Sequence, residues 1–288
     1  MSFADYTRRG ILRQAVKTAG LTWMTGSFAA ASANASPFAE TGTCTTTGAP
    51  GLTEGPYFVD EILNRIDIRV DPSDGVTQKG TQLDLTLNFS RVDNCSSTPL
   101  VGACIDIWHC GALGDYSDVG NFAGKKFLRG YQMTDRNGQV KFTTIFPGWY
   151  SGRAVHIHFK VRTFSQNAET YEFTSQFFFD DAVIDQVLSQ GVYAAHGLPD
   201  TRNATDGIYR GAASLGPITS EAGSYLYLTV SPGSTEGKLK GEATVVLDVS
   251  AGSTPDQTAP GGGGMPPPPG GGTPPPGGGG PGGPPPGM

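Results

Sequence analysis

Residues 146–162 read FPGWYSGRAVHIHFKVR. From Val155 onward the run is apolar and β-branched, which predicts a strand. Strand side chains alternate between faces, so His156, His158 and Lys160 share one side and Val155, Ile157, Phe159 and Val161 the other. The second set predicts a core face. The first sets two imidazoles side by side, an arrangement that offers two nitrogens to one metal ion. Taken alone, the pair fits either a metal site or two histidines hydrogen-bonded on a half-exposed sheet. Pro147-Gly148 marks a turn ahead of Tyr150, and Arg153 stands just upstream of the histidines.

Outward from this strand the pattern stays β. Downstream, residues 171–179 form another strand in which Gln176 is the one buried-looking polar residue. Asp180-Asp181 can cap a short helix over 181–189, and two strands follow at about 224–230 and 241–249. Upstream, Asp135-Arg136-Asn137-Gly138 is a hairpin turn signal joining 131–134 to a strand over 139–145. Further strands are predicted over 65–70, 82–92 and 101–109. The last puts Asp106 and Trp108 on one face, opposite Ile105 and Ile107, and ends in His109, read as structural. Residues 111–130 form a Gly-rich loop carrying Tyr116, and loops of that length in a compact domain tend to be functional. Thr53 to Phe58 is a turn-rich entry containing Tyr57. Together these elements predict an all-β fold over residues 40–250: a β-sandwich with long active-site loops and one short helix.

The chain has 288 residues, 37% of them hydrophobic, enough for a sizeable core. Its net charge of −6 argues against nucleic acid or an anionic membrane as partner. Residues 1–35 read as an export signal: Thr7-Arg8-Arg9-Gly10-Ile11-Leu12-Arg13 matches the twin-arginine pattern, a weakly apolar stretch follows, and Ala33-Asn34-Ala35 is an A-x-A cleavage signal. The expected localisation is therefore periplasmic or secreted. The export machinery that accepts folded proteins would be a partner, and no membrane association is expected after cleavage. Loading a metal before export would shield the site from competing ions. Cys104 and Cys110 are too far apart along one strand to bridge. Any disulfide from either must reach Cys44 or Cys95, and four buried thiols are the alternative. Residues 252–288 hold 15 Gly and 13 Pro with Asp256 the only charge, a composition that cannot form a core and predicts a disordered, partly polyproline tail.

Taken in order, TEGPYFVD (53–60), DIWHCGALGDYSD (106–118), FLRGYQMTDRNGQVKFTTIFPGWY (127–150) and GRAVHIHFKV (152–161) resemble the intradiol ring-cleavage dioxygenases, the family of catechol and protocatechuate dioxygenases. The resemblance implies a transthyretin (prealbumin)-like sandwich. It also implies one non-haem iron(III) per chain, held by Tyr116, Tyr150, His156 and His158. On the same resemblance, Tyr150 is the axial ligand that yields to substrate, Arg153 faces the bound substrate, Gln176 lines the pocket and Tyr57 is a pocket wall. The implied reaction cleaves a catechol-type diol with O2 between the two hydroxylated carbons to a muconate-type diacid. Two phenolates and a hydroxide would neutralise the trivalent ion, which matters where unbalanced charge is costly. No helical dimerisation segment of the kind found in catechol dioxygenases precedes Thr53, although a homodimer remains compatible with the sequence. Selectivity is expected from residues 111–130 and from 193–216, where Tyr193, His196 and Arg202 cluster.

Other readings predict different chemistry. An extradiol-type ferrous site would use His156, His158 and a carboxylate such as Asp115. A zinc hydrolase lacks an obvious general base. A cupin wants a glutamate shortly after the histidine pair, where this chain has Arg162 and Thr163. A non-enzymatic reading is a periplasmic transthyretin-like module that binds phenolics at a degenerate site.

Overall fold

Alternation along β1 (Gln82–Asp93) organises one of two sheets: Leu83, Leu85, Leu87 and Phe89 point to one side and are all buried. The computed structural model describes residues 48–93, 96–215 and 226–249, all within Thr45–Met288, the second of two units into which the chain divides. Residues 1–35, read above as an export signal, together with Cys44, Cys95 and the Gly/Pro-rich tail, fall outside the described residues.

On one side of β1, β9 (Leu239–Leu247) runs parallel, and β8 (Thr229–Pro232) joins β9. On the other side, β5 (Gln139–Ile145) and then β2 (Ser96–Pro99) pair antiparallel. The second sheet is antiparallel, in the order β4 (Arg129–Met133), β3 (Cys104–Trp108), β6 (His156–Ser165) and β7 (Ala168–Phe178). The inner faces meet through aromatics: Phe89 packs against Phe159 at 5.8 Å between ring centroids, and Phe159 stacks on Phe177 at 4.2 Å. Each such fully buried side chain contributes about 1.5–3 kcal/mol relative to exposure. The architecture is a mostly β, two-sheet fold, as the sequence predicts.

The turn expected at Asp135 forms, with Gly138 N donating to Asp135 O at 2.9 Å. The hairpin does not: β4 pairs with β3 and β5 with β1, so the turn carries the chain from one sheet to the other. Gly138 takes φ 72°, and a Cβ there would lie 2.2 Å from the Phe89 carbonyl oxygen, so the turn demands glycine. Asp180 caps α1 (Asp181–Leu188), its side chain accepting from Ala182 N.

Several expectations need correction. Residues 65–70 are not a strand but a run of isolated bridges, Asp67 to Thr143 among them. The Arg65 guanidinium crosses this segment and donates to the carbonyls of Val70, Lys126 and Arg129, supplying by side chain what a ladder would supply by backbone. The strand expected at 101–109 starts at Cys104, because Gly102 turns with φ 71°. The strand expected at 224–230 lies at Thr229–Pro232, and β2 was not anticipated. A second helix, α2 (Gly207–Leu215), joins the one predicted; its two glycines, Gly207 and Gly211, are weak helix formers and hide it from a propensity reading. Among the described residues, no helix is long and apolar enough to cross a membrane.

The outer face of β6 also departs from the half-exposed alternative. His156, His158, Lys160 and Arg162 are all buried. The N-terminal segment lies over them: Lys160 pairs with Glu54 and with Glu172 and sits 4.2 Å from the Phe58 ring centroid. Arg162 bridges Asp60 and Asp106, each at 2.7 Å. Charged groups on a covered face are tolerable only when paired in this way.

Candidate metal centre and active site

The two histidines reach the site from alternate positions of β6. Opposite them, His156 pairs with Phe178, and His158 lies between Trp108 and Gln176. Trp108 stacks on His158 with ring centroids 4.8 Å apart and planes 6° from parallel, fixing that imidazole's plane. His156 Nδ1 lies 2.6 Å from Ala154 O, so it carries the proton and leaves a lone pair on Nε2. That Nε2 is 3.0 Å from His158 Nε2 and 3.3 Å from the Tyr150 hydroxyl. Burial lowers the pKa of both imidazoles; the Arg153 charge adds to this at His156, and His156 adds to it at His158. Both rings are neutral, as metal donors must be.

The tyrosines come from two loops zipped together through glycine. Gly148 N donates to Gly111 O at 3.1 Å, and a Cβ on Gly148 would fall 2.4 Å from Ala112 O. In return Gly114, at φ 89°, leaves room for Trp149 O, which a Cβ would approach to 2.4 Å. This backbone contact sets Tyr116 against Tyr150 at 5.8 Å between centroids and a 68° interplanar angle. Tyr57 stacks on Tyr116 at 4.5 Å and meets Tyr150 edge-on at 6.4 Å. Burial pushes the Tyr57 phenol up to about 12 and raises Tyr116 and Tyr150 as well, with Tyr150 next to it adding to the rise at Tyr116.

Tyr116 Oη and His158 Nδ1 are buried without a hydrogen-bond partner. An orphaned hydroxyl at such depth costs about 1–3 kcal/mol unless something else engages it. The donors fit a hard trivalent ion, with two oxygens able to become anionic and two neutral nitrogens. Two nitrogens each about 2.1 Å from a common ion and at right angles to one another would be about 3 Å apart, and the histidine pair is separated by 3.0 Å. Among the described residues, no cluster of three or more His, Cys, Asp or Glu side chains could hold a metal, so Asp115 does not complete a two-histidine, one-carboxylate set.

Arg153 is buried beside the tyrosines. Its Nε donates to Asp206 Oδ2 at 2.8 Å and its Nη2 to Gln176 Oε1 at 2.5 Å. Gln176 Nε2 in turn donates to Thr53 O at 2.8 Å, so its amide ties Arg153 to the N-terminal segment. Of the cluster expected to govern selectivity, His196 packs at a tilt against Trp149, 4.4 Å between ring centroids, with its Nε2 3.1 Å from Trp149 O, and so lies on the Tyr150 loop. Tyr193 serves the scaffold, donating to Phe146 O at 2.6 Å, and Arg202 turns away to pair with Asp185. His109 is structural as read, its Nε2 2.7 Å from Thr144 Oγ1. Cys104 and Cys110 are free and buried.

Two residues escaped sequence reasoning. Arg129 donates to Ser117 Oγ and Ser117 O, each at 2.7 Å, and to Tyr57 O, clipping together the segments that carry Tyr116 and Tyr57. An arginine opening the strand RGYQM reads by default as a solvent-facing residue. Asp206, ahead of a Gly-initiated helix, reads only as a cap.

The family model described as dioxygenase matches residues 53–213, more than half of the chain. Chlorocatechol 1,2-dioxygenase of Pseudomonas putida is 27% identical over 181 residues, 54% of this chain and 63% of the relative. Catechol 1,2-dioxygenase 2 of Acinetobacter lwoffii is 28% identical over 109 residues, 36% of each chain. The chain thus spans less than two thirds of the length of these relatives. Among solved structures, an intradiol ring-cleavage dioxygenase from Tetranychus urticae superposes with a TM-score of 0.56 at 27% identity, covering 70% of this chain and 94% of that one.

Proposed function

The chain belongs to the intradiol dioxygenase family, and on that premise we propose that it opens catechol-type aromatic diols between the two hydroxylated carbons, using O2 and a non-haem iron(III) held by Tyr116, Tyr150, His156 and His158. The product would be a muconate-type diacid. Both atoms of O2 end in the two new carboxyl groups, so no external reductant is needed. The observation that carries this reading is the convergence of a tyrosine hydroxyl and two neutral imidazoles at contacts of 3.0 and 3.3 Å, next to a second buried tyrosine whose hydroxyl has no partner.

When bound, the ferric ion would act as a Lewis acid, drawing electron density from a chelated catecholate and making its ring reactive toward O2. The chain's own groups do the rest. His156 and His158 are fixed neutral donors, their planes set by Ala154 O and Trp108. Tyr116 would be the anionic donor that stays. Tyr150, within reach of His156 Nε2, would be the group that accepts, at Oη, a proton from the incoming diol. With iron held there, a tyrosinate and a hydroxide would together carry the same charge as one bound catecholate dianion, each taking up one of the diol's two protons. That charge-neutral exchange is what a buried site favours. Arg153 supplies a positive charge close to where negative charge gathers, and Tyr57, stacked on Tyr116, would flank the bound diol. We further infer export by the twin-arginine route, on the strength of Arg8-Arg9 and Ala33-Asn34-Ala35.

The test is metal analysis and visible spectroscopy of the purified protein, followed by oxygen uptake on a panel of catechol, hydroxyquinol, protocatechuate and chlorinated or methylated catechols. Iron with a broad tyrosinate charge-transfer band that moves on adding catechol, and a ring-opened diacid as product, supports the proposal. Zinc or no metal, or cleavage beside the hydroxyls, would overturn it.

A further inference from the structure

The Asp206 side chain is fully buried, and its two oxygens serve different parts of the fold. Oδ1 accepts from the backbone N–H groups of Ile208 at 2.7 Å and Tyr209 at 2.9 Å, capping the first turn of α2. Oδ2 accepts from Arg153 Nε at 2.8 Å and from Ala154 N at 2.7 Å, at the entry to the histidine strand. A cap needs only one oxygen, and asparagine or serine supplies it about as well. The second oxygen is what only a carboxylate offers here, because both groups it faces are donors.

Arginine is a long side chain, and holding it in one rotamer costs conformational entropy. Two-point attachment offsets that cost: Asp206 at Nε and Gln176 at Nη2 together fix the plane of the guanidinium. Tyr209, one of the capped residues, packs edge-on against Phe178 at 5.0 Å, and Phe178 is the register partner of His156. The cap, the arginine and the histidine strand are therefore tied to one carboxylate.

We propose that Asp206 is a positioning residue for ring cleavage, holding the Arg153 guanidinium in the orientation in which it meets substrate; this rests on the role assigned to Arg153 above. Asp206→Asn keeps an oxygen for the cap but turns an NH2 toward two donors, and Asp206→Ser keeps the cap and removes the arm. Asp206→Ala removes both. All three should lower kcat by about 100-fold, the scale on which a small misplacement acts, while leaving iron content unchanged. In metal-free protein, labelling of Arg153 by phenylglyoxal, read by peptide mass, should quicken by about tenfold in the Asn and Ser variants, the factor released by losing one charge-assisted hydrogen bond. Labelling at the buried Arg129 and Arg162 should not change.

If the Asn and Ser variants keep wild-type kcat, or if labelling at all three arginines rises together, Asp206 is only a scaffold residue and the proposal falls. An unchanged Arg153 labelling rate also overturns it. A wild-type protein that cleaves no diol sinks the ring-cleavage reading instead, and the labelling rates then decide by themselves whether Asp206 holds Arg153.

Discussion

Nε2 of His156 and Nε2 of His158 face each other at 3.0 Å. The Nδ1 of His156 is committed to the Ala154 carbonyl, so its Nε2 presents a lone pair. Two buried imidazoles tip to tip need a proton or a cation between them. A cation would also engage Tyr150 Oη at 3.3 Å and give the Tyr116 hydroxyl the partner it otherwise lacks. The predictions below follow from that arrangement and its supports.

Tyr116→Phe should have opposite effects in the metal-free and iron-loaded protein. The hydroxyl is buried and without a hydrogen-bond partner, so removing it from metal-free protein should stabilise the fold by about 1–2 kcal/mol. In protein expressed with iron, the same change should remove or shift the tyrosinate absorption band and abolish turnover. Thermal denaturation of the metal-free pair and visible spectra of the loaded pair check both halves. A metal-free variant that melts well below wild type would show that the hydroxyl is a structural group.

Gly148→Ala should damage the site without touching a donor. The added methyl would lie 2.4 Å from Ala112 O and 2.5 Å from Gly111 O, and backbone at that distance must move. Overpacking of this kind costs about 1–3 kcal/mol. The displacement falls where the Tyr116 and Tyr150 loops are zipped together, so iron content should drop more than overall stability. Iron per chain and melting temperature, measured on one preparation, separate the two. Full iron occupancy in the variant would show that the loop contact does not set the tyrosines.

Much of this site is legible in the sequence because its parts are local. His156 and His158 share a face by strand alternation alone, and the Asn137-Gly138 turn marks where the chain reverses before β5. The two tyrosines proposed as donors are legible only through resemblance, since no spacing rule joins Tyr116 to Tyr150. Their meeting depends on Gly148 and Gly114 letting two loops touch backbone to backbone. Arg65 hides a non-strand behind a strand-like pattern by satisfying carbonyls from its side chain. Asp206 and Arg129 stay hidden for a related reason: their partners, Arg153 for one and Tyr57 and Ser117 for the other, are distant in the chain.

Metal-free protein should lose stability as the pH falls from about 6.5 toward 4. Burial lowers His109 from 6.5 to about 4 and lowers His156 and His158 as well. Across that window the unfolded chain takes up protons that the folded chain refuses, so each histidine contributes stability that is present above its unfolded value. The loss amounts to about 1.4 kcal/mol per pH unit for each histidine. Asp106 acts the other way: burial raises it to about 6, so it favours the fold at low pH and its contribution fades as the pH rises from 3.8 to 6. Burial raises Asp115, Asp181 and Glu169 in the same direction as Asp106, but these three are partly exposed whereas the three histidines are buried. The histidines therefore dominate, and His109→Gln should make the decline shallower. Melting temperature against pH, with and without the substitution, checks this; a curve flat from pH 6.5 to 4 would contradict it.

Arg129→Lys should loosen the two tyrosines together. The arginine is buried, and burial lowers its pKa to about 10, which still leaves it charged at neutral pH. Its fork reaches three acceptors at once, Ser117 Oγ, Ser117 O and Tyr57 O. A lysine ammonium is a compact point charge without that planar fork, so one or more carbonyls would lose their donor inside the fold. The expected cost is about 2–3 kcal/mol for a buried acceptor deprived of a charged donor. Because Tyr57 stacks on Tyr116 at 4.5 Å, the loosened segment is the one packed against the proposed metal donors. Iron should therefore be lost to a chelator several-fold faster from the variant, while an exposed substitution such as Lys141→Arg leaves the rate unchanged. Equal loss rates in wild type and Arg129→Lys would mean that Arg129 stabilises the sheet edge alone and has no hold on the tyrosine pair.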